Sequence, residues 1–434
     1  MTVFVAYEIH RLLSNYDLFI YCWSSFEAFS SKSEGKIMKN MTINNSEVSP
    51  LTHLTEKEER FRERTQNFAK HYVMPLVFEM DKSAQIDRGL IEKIFEQGLM
   101  SIEIPIEYGG RNGSFFDSII AIEEMAVVDP AVAVFIDVQN TLVINTIMRW
   151  GTEEQKRKYL PMLAKNTVGA FSITEKEAGS DATALSCKAK NVDGGYLLNG
   201  EKHWVTNAAE ADIFIIFAKE QKTEGEEGRL TAFIVDRRET NGLTICDSEE
   251  KMGIRASSTC NIILENVFVP KENVLRAIGR GLNIALETLT DGRIGIGAQM
   301  LGLARGAFIA AVEYAQTRKQ FGQTISNFQG IHFPLAQMST EIEAARLFVY
   351  HVARLKSAKS DFKELFTLSS MTKLFASQVA EKVVSQGLEI FGGKGYMKGN
   401  ILEKLYRDAK IGKIYEGTSN MQLRLIARSF NIKI

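Results

Sequence analysis

Tyr406-Arg407-Asp408-Ala409-Lys410-Ile411-Gly412-Lys413-Ile414-Tyr415-Glu416-Gly417-Thr418-Ser419-Asn420 places one carboxylate, Glu416, beside a glycine and two hydroxyl residues, inside a C-terminal region that otherwise reads as helix. A lone carboxylate there suits a general base in a dry pocket. Read by itself it equally suits a helix cap or a salt bridge. Helical spacing surrounds it: the pattern predicts helices over 281–317, 329–357, 362–391 and 403–411, and another after Asn420. Residues 281–434 therefore read as a bundle.

Upstream the period changes. Seven short apolar runs, at 170–174, 186–190, 195–199, 213–218, 230–235, 243–246 and 261–269, are punctuated by Gly, Asp and Asn. They predict a small β barrel or sandwich over 171–280. Residues 52–170 are again helical. Thr55 with Glu58 has capping-box spacing, Thr152 before Glu153 and Glu154 starts another helix, and Asp129-Pro130 joins two more. The expected order is an extension (1–51), an all-α domain (52–170), a β domain (171–280) and a four-helix-bundle domain (281–434), an α+β chain.

Composition narrows the function. The chain has 434 residues, 45% hydrophobic and 24% charged, with a formal net charge of -1. That balance argues against a general nucleic-acid binder, which needs a basic face. Cys22, Cys187, Cys246 and Cys260 match neither a zinc pattern nor a disulfide framework, and the histidines are scattered, so no catalytic metal is expected. No membrane span is expected either. The apolar stretch 126–149 is interrupted by Asp129, Pro130, Asp137, Gln139, Asn140 and Asn145 and reads as a buried helix after Pro130. Residues 1–51 read as a targeting or disordered extension. Glu8, Asp17 and Glu27 sit there with Arg11 as the only arginine, a weak presequence pattern.

Four more constellations stand out. In Phe171-Ser172-Ile173-Thr174-Glu175-Lys176-Glu177-Ala178-Gly179-Ser180-Asp181 a strand enters a small-residue loop. Its backbone amides and the hydroxyls of Thr174 and Ser180 suit a heterocycle or phosphate, or form an ordinary surface turn. In Lys202-His203-Trp204-Val205-Thr206-Asn207, Trp204 offers a flat face and Thr206 a donor on the same side of a strand; a core tryptophan is the alternative. Arg318-Lys319-Gln320-Phe321-Gly322, followed by Gln329, pairs a guanidinium fork with an aromatic ring, or simply ends a helix. Phe391-Gly392-Gly393-Lys394-Gly395-Tyr396 lets a ligand approach the backbone, or makes a tight turn. It lacks the G-x-G-x-x-G order and follows no strand, so the Rossmann fingerprint is absent.

In this order and at these separations the five motifs resemble the acyl-CoA dehydrogenase family, over about residues 52–430. Within the family the chain is most similar to the short/branched-chain, 2-methyl-branched members, through Gly253-Ile254-Arg255-Ala256-Ser257-Ser258-Thr259-Cys260, Gly292-Arg293-Ile294-Gly295-Ile296 and Gln299-Met300-Leu301-Gly302-Leu303. The resemblance implies a FAD enzyme, a homotetramer, that takes an acyl-CoA substrate and passes electrons to electron-transfer flavoprotein in the mitochondrial matrix. The implied substrate is 2-methylbutanoyl-CoA. Alternatives are a butanoyl-CoA dehydrogenase, an acyl-CoA oxidase and a non-enzymatic nucleic-acid-binding member of the fold.

The resemblance also implies roles. Glu416 is the catalytic base, and the Gly417 N–H donates to the thioester carbonyl. Some relatives carry the base at the position of Gly292, where glycine cannot serve. Phe171, Ile173, Thr174, Trp204, Thr206, Thr418 and Asn420 belong to the flavin site. Arg318, Phe321 and Gln329 reach the FAD of a neighbouring subunit, and Glu389, Gly392 and Gly393 its adenosine side. Gly179, Ser180, Thr290, Arg293, Tyr415 and Gly417 contact substrate. Three departures from the family pattern are the charges Lys176 and Glu177, Thr290 where an Asp or Asn is usual, with Asp291 adjacent, and Glu389 where Gln is common.

Overall fold

The computed structural model describes residues 51–221, 228–358 and 360–430. The expected extension lies outside them, apart from Leu51.

The N-terminal elements are α1 (Glu56–Phe68), α2 (Val77–Ser83), α3 (Arg88–Glu96), α4 (Phe115–Val128), α5 (Pro130–Asp137), α6 (Asn145–Trp150) and α7 (Glu153–Lys165). Their starts follow the sequence signals. Thr55 and Glu58 form a capping box, the Thr55 N–H donating to Glu58 Oε2 at 2.8 Å, and Thr152 caps α7. Asp129 caps α5 through the Ala131 N–H at 2.9 Å, and Pro130 occupies the first turn.

A π-helical stretch, Val138–Ile144, joins α5 to α6, making a continuous apolar rod from Pro130 to Trp150. By length and composition this rod and the later helix Gly281–Thr317 could each cross a bilayer, yet both are mostly buried inside the fold. The polar residues that interrupt the rod explain its place. Asn140 Nδ2 donates to the carbonyls of Leu99 (2.8 Å) and Ile136 (2.9 Å), and its Oδ1 accepts the Ile102 N–H at 3.0 Å. Gln139 accepts the Gly169 N–H at 2.7 Å and donates to the carbonyl of Thr167 at 3.1 Å. These side chains satisfy loop backbone that water cannot reach.

Seven strands follow: β1 (Val168–Ser172), β2 (Lys188–Val192), β3 (Gly195–Thr206), β4 (Ala211–Glu220), β5 (Leu230–Asp236), β6 (Leu243–Ser248) and β7 (Thr259–Pro270). They form one mixed sheet in the order β1-β4-β2-β3-β7-β6, with β5 paired to β4. All seven runs expected from the sequence are strands. The main difference is β3, which continues past Asn199-Gly200. That pair reads as a turn, but the chain crosses it through a register shift against β7, with Gly200 at φ +145°.

The C-terminal region contains α8 (Gly281–Thr317), the hairpin β8 (Lys319–Gln320) and β9 (Gln323–Thr324), α9 (Gln329–Ser357), α10 (Phe362–Phe391), α11 (Ile401–Ala409) and α12 (Ser419–Arg428). α8 runs through the middle, packing on α4, α5, α9, α10 and α11. Lys404 on α11 is fully buried, its Nζ donating to Asp129 Oδ1 (2.8 Å) and Asp408 Oδ2 (2.7 Å), while Asp408 Oδ1 accepts the Ile254 N–H at 2.6 Å.

Asn140→Leu keeps the volume but strands two carbonyls and one N–H. Urea denaturation should show a loss of about 2–4 kcal/mol; a loss below about 0.5 kcal/mol, the level of a surface change, would contradict this account of the rod.

Candidate active site

Glu416 follows α11 after a 3₁₀ turn at Lys410–Lys413. It and Gly417 both have left-handed backbone, φ +53° and +92°, and swing the chain into α12, where Thr418 Oγ1 accepts the Met421 N–H. A non-glycine residue at positive φ is strained and needs support. Gln422 Nε2 donates to the carbonyls of Glu416 (3.0 Å) and Gly417 (2.8 Å), and Lys373 Nζ from α10 donates to Gly417 at 2.7 Å.

The carboxylate points at α8. A Cβ at Gly292 would lie 2.8 Å from Glu416 Oε2 and 2.8 Å from Leu142 Cδ2, so the missing side chain at 292 is the seat of the acid. Glu416 Oε2 is buried with no hydrogen-bond partner among the described residues. Burial pushes its pKa up to about 7, although Arg293 and Lys373 both draw it down. Burial in turn lowers Lys373 to about 8 and Arg293 to about 10. The buried Arg293 guanidinium lies 5.0 Å from the Phe366 ring, with Nε and Nη1 unpartnered among the described residues. Asp137 lies on the same side of α8, against Gly295, and accepts the Thr141 hydroxyl at 2.8 Å; burial pushes its carboxyl well up. An unpartnered acid that titrates near neutrality in an apolar seat has the properties of a general base.

Other sequence-selected residues take defined places. Tyr415 donates its hydroxyl to Gln299 Oε1, and Thr290 spends its own on the Leu286 carbonyl at 2.7 Å. Asp291 is in ion pairs with Arg149 (2.9 Å) and Lys356 (2.6 Å), so it does not stand in for an acid at 290. Glu175 is held by Lys202 Nζ at 2.7 Å and by Ser186, leaving Lys176, Glu177, Gly179 and Ser180 exposed. The two extra charges of that loop thus lie in solvent. Phe171 is buried, with its ring 5.0 Å from Phe217, while Ile173 and Thr174 are half-buried.

A register shift between Lys202 and Val205 gives Trp204 φ +54° and leaves it 57% exposed, while Thr206, two residues on, is half-buried. Asn207 Nδ2 donates to the Phe135 carbonyl at 3.1 Å, tying this end of β3 to α5, two residues before Asp137.

The remaining motifs lie elsewhere. Phe321 and Gly322 both have positive φ in a two-residue hairpin turn, and Phe321 is 92% exposed. Arg318 and Gln329 are exposed beside it. Glu389, Gly392 and Gly393 are exposed near the same end of α8, where Tyr314 stacks on Phe391 at 4.1 Å. At 1.5 Å per residue, Gly292 and Arg318 are about 40 Å apart along α8. One chain therefore brings together Glu416, Gly417, Thr418 and Arg293, and holds Arg318, Phe321, Gln329, Glu389, Gly392 and Gly393 far from them.

These residues fit a flavin dinucleotide. Trp204 presents an uncovered ring, Ser419 Oγ is a buried polar atom without a partner among the described residues, and a Cβ at Gly179, Gly392 or Gly393 would meet nothing within 4 Å. Asn420 is exposed at the start of α12.

Sequence reasoning missed Lys373, Gln422, Leu142 and Gln299. A readable signal for Lys373 was a lysine at helical spacing from Ser369, Ser370, Ala376 and Ser377 on the buried face of α10. Gln422 carried no comparable signal.

Models of "Acyl-CoA dehydrogenase, N-terminal domain", "Acyl-CoA dehydrogenase, middle domain" and "Acyl-CoA dehydrogenase, C-terminal domain" match residues 55–167, 170–267 and 279–430. A probable short/branched chain specific acyl-CoA dehydrogenase of Dictyostelium discoideum is 48% identical over 90% of this chain and 94% of its own length. The mitochondrial short/branched chain specific acyl-CoA dehydrogenase of Rattus norvegicus is 44% identical, over 91% and 90%. A chain solved in work on the electron transferring flavoprotein of Acidaminococcus fermentans superposes with a TM-score of 0.84 at 41% identity, covering 88% of this chain and 100% of that one.

Glu416 is easier to protonate folded than unfolded, so its ionisation destabilises the fold as pH rises from 4.5 to about 7. Glu416→Gln removes that penalty. The variant should be more stable than the parent at pH 8 by up to about 3 kcal/mol, with the gain gone below pH 5. Paired urea titrations at the two pH values check it; an equal difference at both would contradict the burial of the acid.

Proposed function

Since the chain belongs to the acyl-CoA dehydrogenase family, we propose that it is a FAD-dependent dehydrogenase of short or 2-methyl-branched acyl-CoA thioesters, with 2-methylbutanoyl-CoA its substrate. The observation that carries this is the unpartnered Glu416 carboxylate seated against Gly292.

Glu416 takes the α-proton of the thioester. The Gly417 N–H, which has no acceptor among the described residues, donates to the thioester carbonyl and stabilises the enolate charge that builds up there. Such a donor contributes about 3 kcal/mol when aimed at developing charge in a dry site. Arg293 and Lys373 keep Glu416 ionised enough to act, and the apolar seat keeps water from solvating it. Thr174, Trp204, Thr206, Thr418 and Asn420 would hold FAD, which when bound would supply an acceptor for the hydride that leaves the β-carbon. Loss of the α-proton and the β-hydride leaves a trans-2-enoyl-CoA, 2-methylcrotonyl-CoA for the branched substrate. Electrons pass on to electron-transfer flavoprotein. The mitochondrial matrix is the compartment, in keeping with the mitochondrial relative in Rattus norvegicus.

The chain works as a homo-oligomer, and as a homotetramer in our reading. The separation along α8 supports this, because Arg318, Phe321 and Gln329 cannot reach the flavin beside their own Glu416 and are free to reach a neighbour's.

Anaerobic addition of short acyl-CoA thioesters to the purified flavoprotein tests the reading. 2-Methylbutanoyl-CoA should bleach the oxidised flavin rapidly, and Glu416→Gln should slow bleaching by at least about 10³-fold. Faster bleaching by butanoyl-CoA would move the assignment to straight chains. Flavin that no thioester bleaches would overturn it.

A further inference from the structure

Three lysines are fully buried among the described residues: Lys202, Lys373 and Lys404. Two have the partner a buried ammonium requires, since Lys202 donates to Glu175 and Lys404 to Asp129 and Asp408. Lys373 does not. Its one hydrogen bond goes to a neutral carbonyl, that of Gly417, and the nearby unpaired carboxylate is Glu416. Gln422, also fully buried, spends its amide on the carbonyls of both Glu416 and Gly417. Two side chains from different helices thus converge on one strained two-residue turn, the turn that carries the base.

We propose that Lys373 and Gln422 are positioning residues for Glu416: both hold the left-handed turn, and Lys373 also supplies the counter-charge to the carboxylate. The assignment rests on Glu416 being the base. Neither residue touches substrate in this scheme, and their effects separate. Gln422 is neutral, so its loss loosens the turn without altering the charge that Glu416 meets. Lys373 is charged, so its loss does both.

Four titratable groups face Glu416. Arg293 approaches from α8 and Lys373 from α10, while Asp137 comes from the end of α5 and Tyr415 from the preceding position. Asp137 and Tyr415 are both pushed toward their neutral forms by burial. The balance at Glu416 is therefore one acid against two cations, and removing Lys373 halves the cationic side.

The test is α-proton exchange of butanoyl-CoA into D₂O, followed by NMR across pH 5.5–9 on the holoenzyme, beside steady-state turnover. Exchange reports the proton that Glu416 removes and returns, whereas turnover also includes the hydride step. Parent exchange should rise through a limb near pH 7. Lys373→Met should move that limb up by about one unit, costing roughly tenfold at pH 6 with KM little changed. Lys373→Arg should restore the limb. Gln422→Leu should lower the plateau without moving the limb. Thermal unfolding identifies variants that have lost the fold. An unmoved limb in folded Lys373→Met, or Lys373→Arg as displaced as Met, overturns the role of Lys373; an unchanged plateau in Gln422→Leu overturns that of Gln422. If the parent binds butanoyl-CoA yet shows no exchange, Glu416 is not the base and both assignments fall with it.

Discussion

The buried ion triad of Lys404 with Asp129 and Asp408 is the constraint on which the site geometry rests. It joins three parts of the chain. Asp129 is the cap between α4 and α5, Lys404 and Asp408 lie one helical turn apart on α11, and Asp408 also accepts the Ile254 N–H from the segment before β7. Removing three ionic groups from water is costly, and the arrangement is tolerable only because each charge meets its opposite at hydrogen-bond distance. Loss of one partner leaves a buried, uncompensated charge, a change worth about 3–5 kcal/mol. Glu416 lies eight residues beyond Asp408, so the same triad also sets where the Glu416 carboxylate emerges.

From there the backbone does the aiming. Two left-handed residues in succession turn the chain sharply, and the acid lands on a patch of α8 that has no side chain. The π-helical stretch Val138–Ile144 forms the other wall through Leu142. An insertion of this kind widens a helix by one residue and shifts the direction of the side chains that follow. Glycine at 292 and the acid at 416 are thus complementary: a carboxylate fits in one place because the facing helix leaves room.

Much of this was legible in the sequence. Helices α8, α9 and α10 follow from apolar spacing, and the caps at Thr55, Asp129 and Thr152 from residue type. The seven strands were placed to within a few residues, except where β3 runs on through Asn199-Gly200, since local turn chemistry does not report a register shift paid for by a partner strand. Glu416, Gly417, Trp204 and Phe321 were recognisable from motif order as candidates for the roles proposed above. Lys373 and Gln422 were not, because a residue that acts by holding another's carbonyl carries no motif of its own. Nor could spacing along the chain reveal that the motifs form two groups about 40 Å apart, a distance fixed only once α8 is known to be one unbroken helix.

That unbroken helix has a genetic consequence. If a working site takes its base from one chain and its Arg318–Phe321 hairpin from another, damage at the two ends of α8 is not equivalent and not confined to the chain that carries it. A subunit lacking Glu416 still lends an intact hairpin to its neighbour, and a subunit lacking Phe321 still offers an intact base. Hybrids of the two would hold one complete site in each exchanging pair, so two inactive alleles at opposite ends of the same helix would complement each other, whereas two alleles at the same end would not.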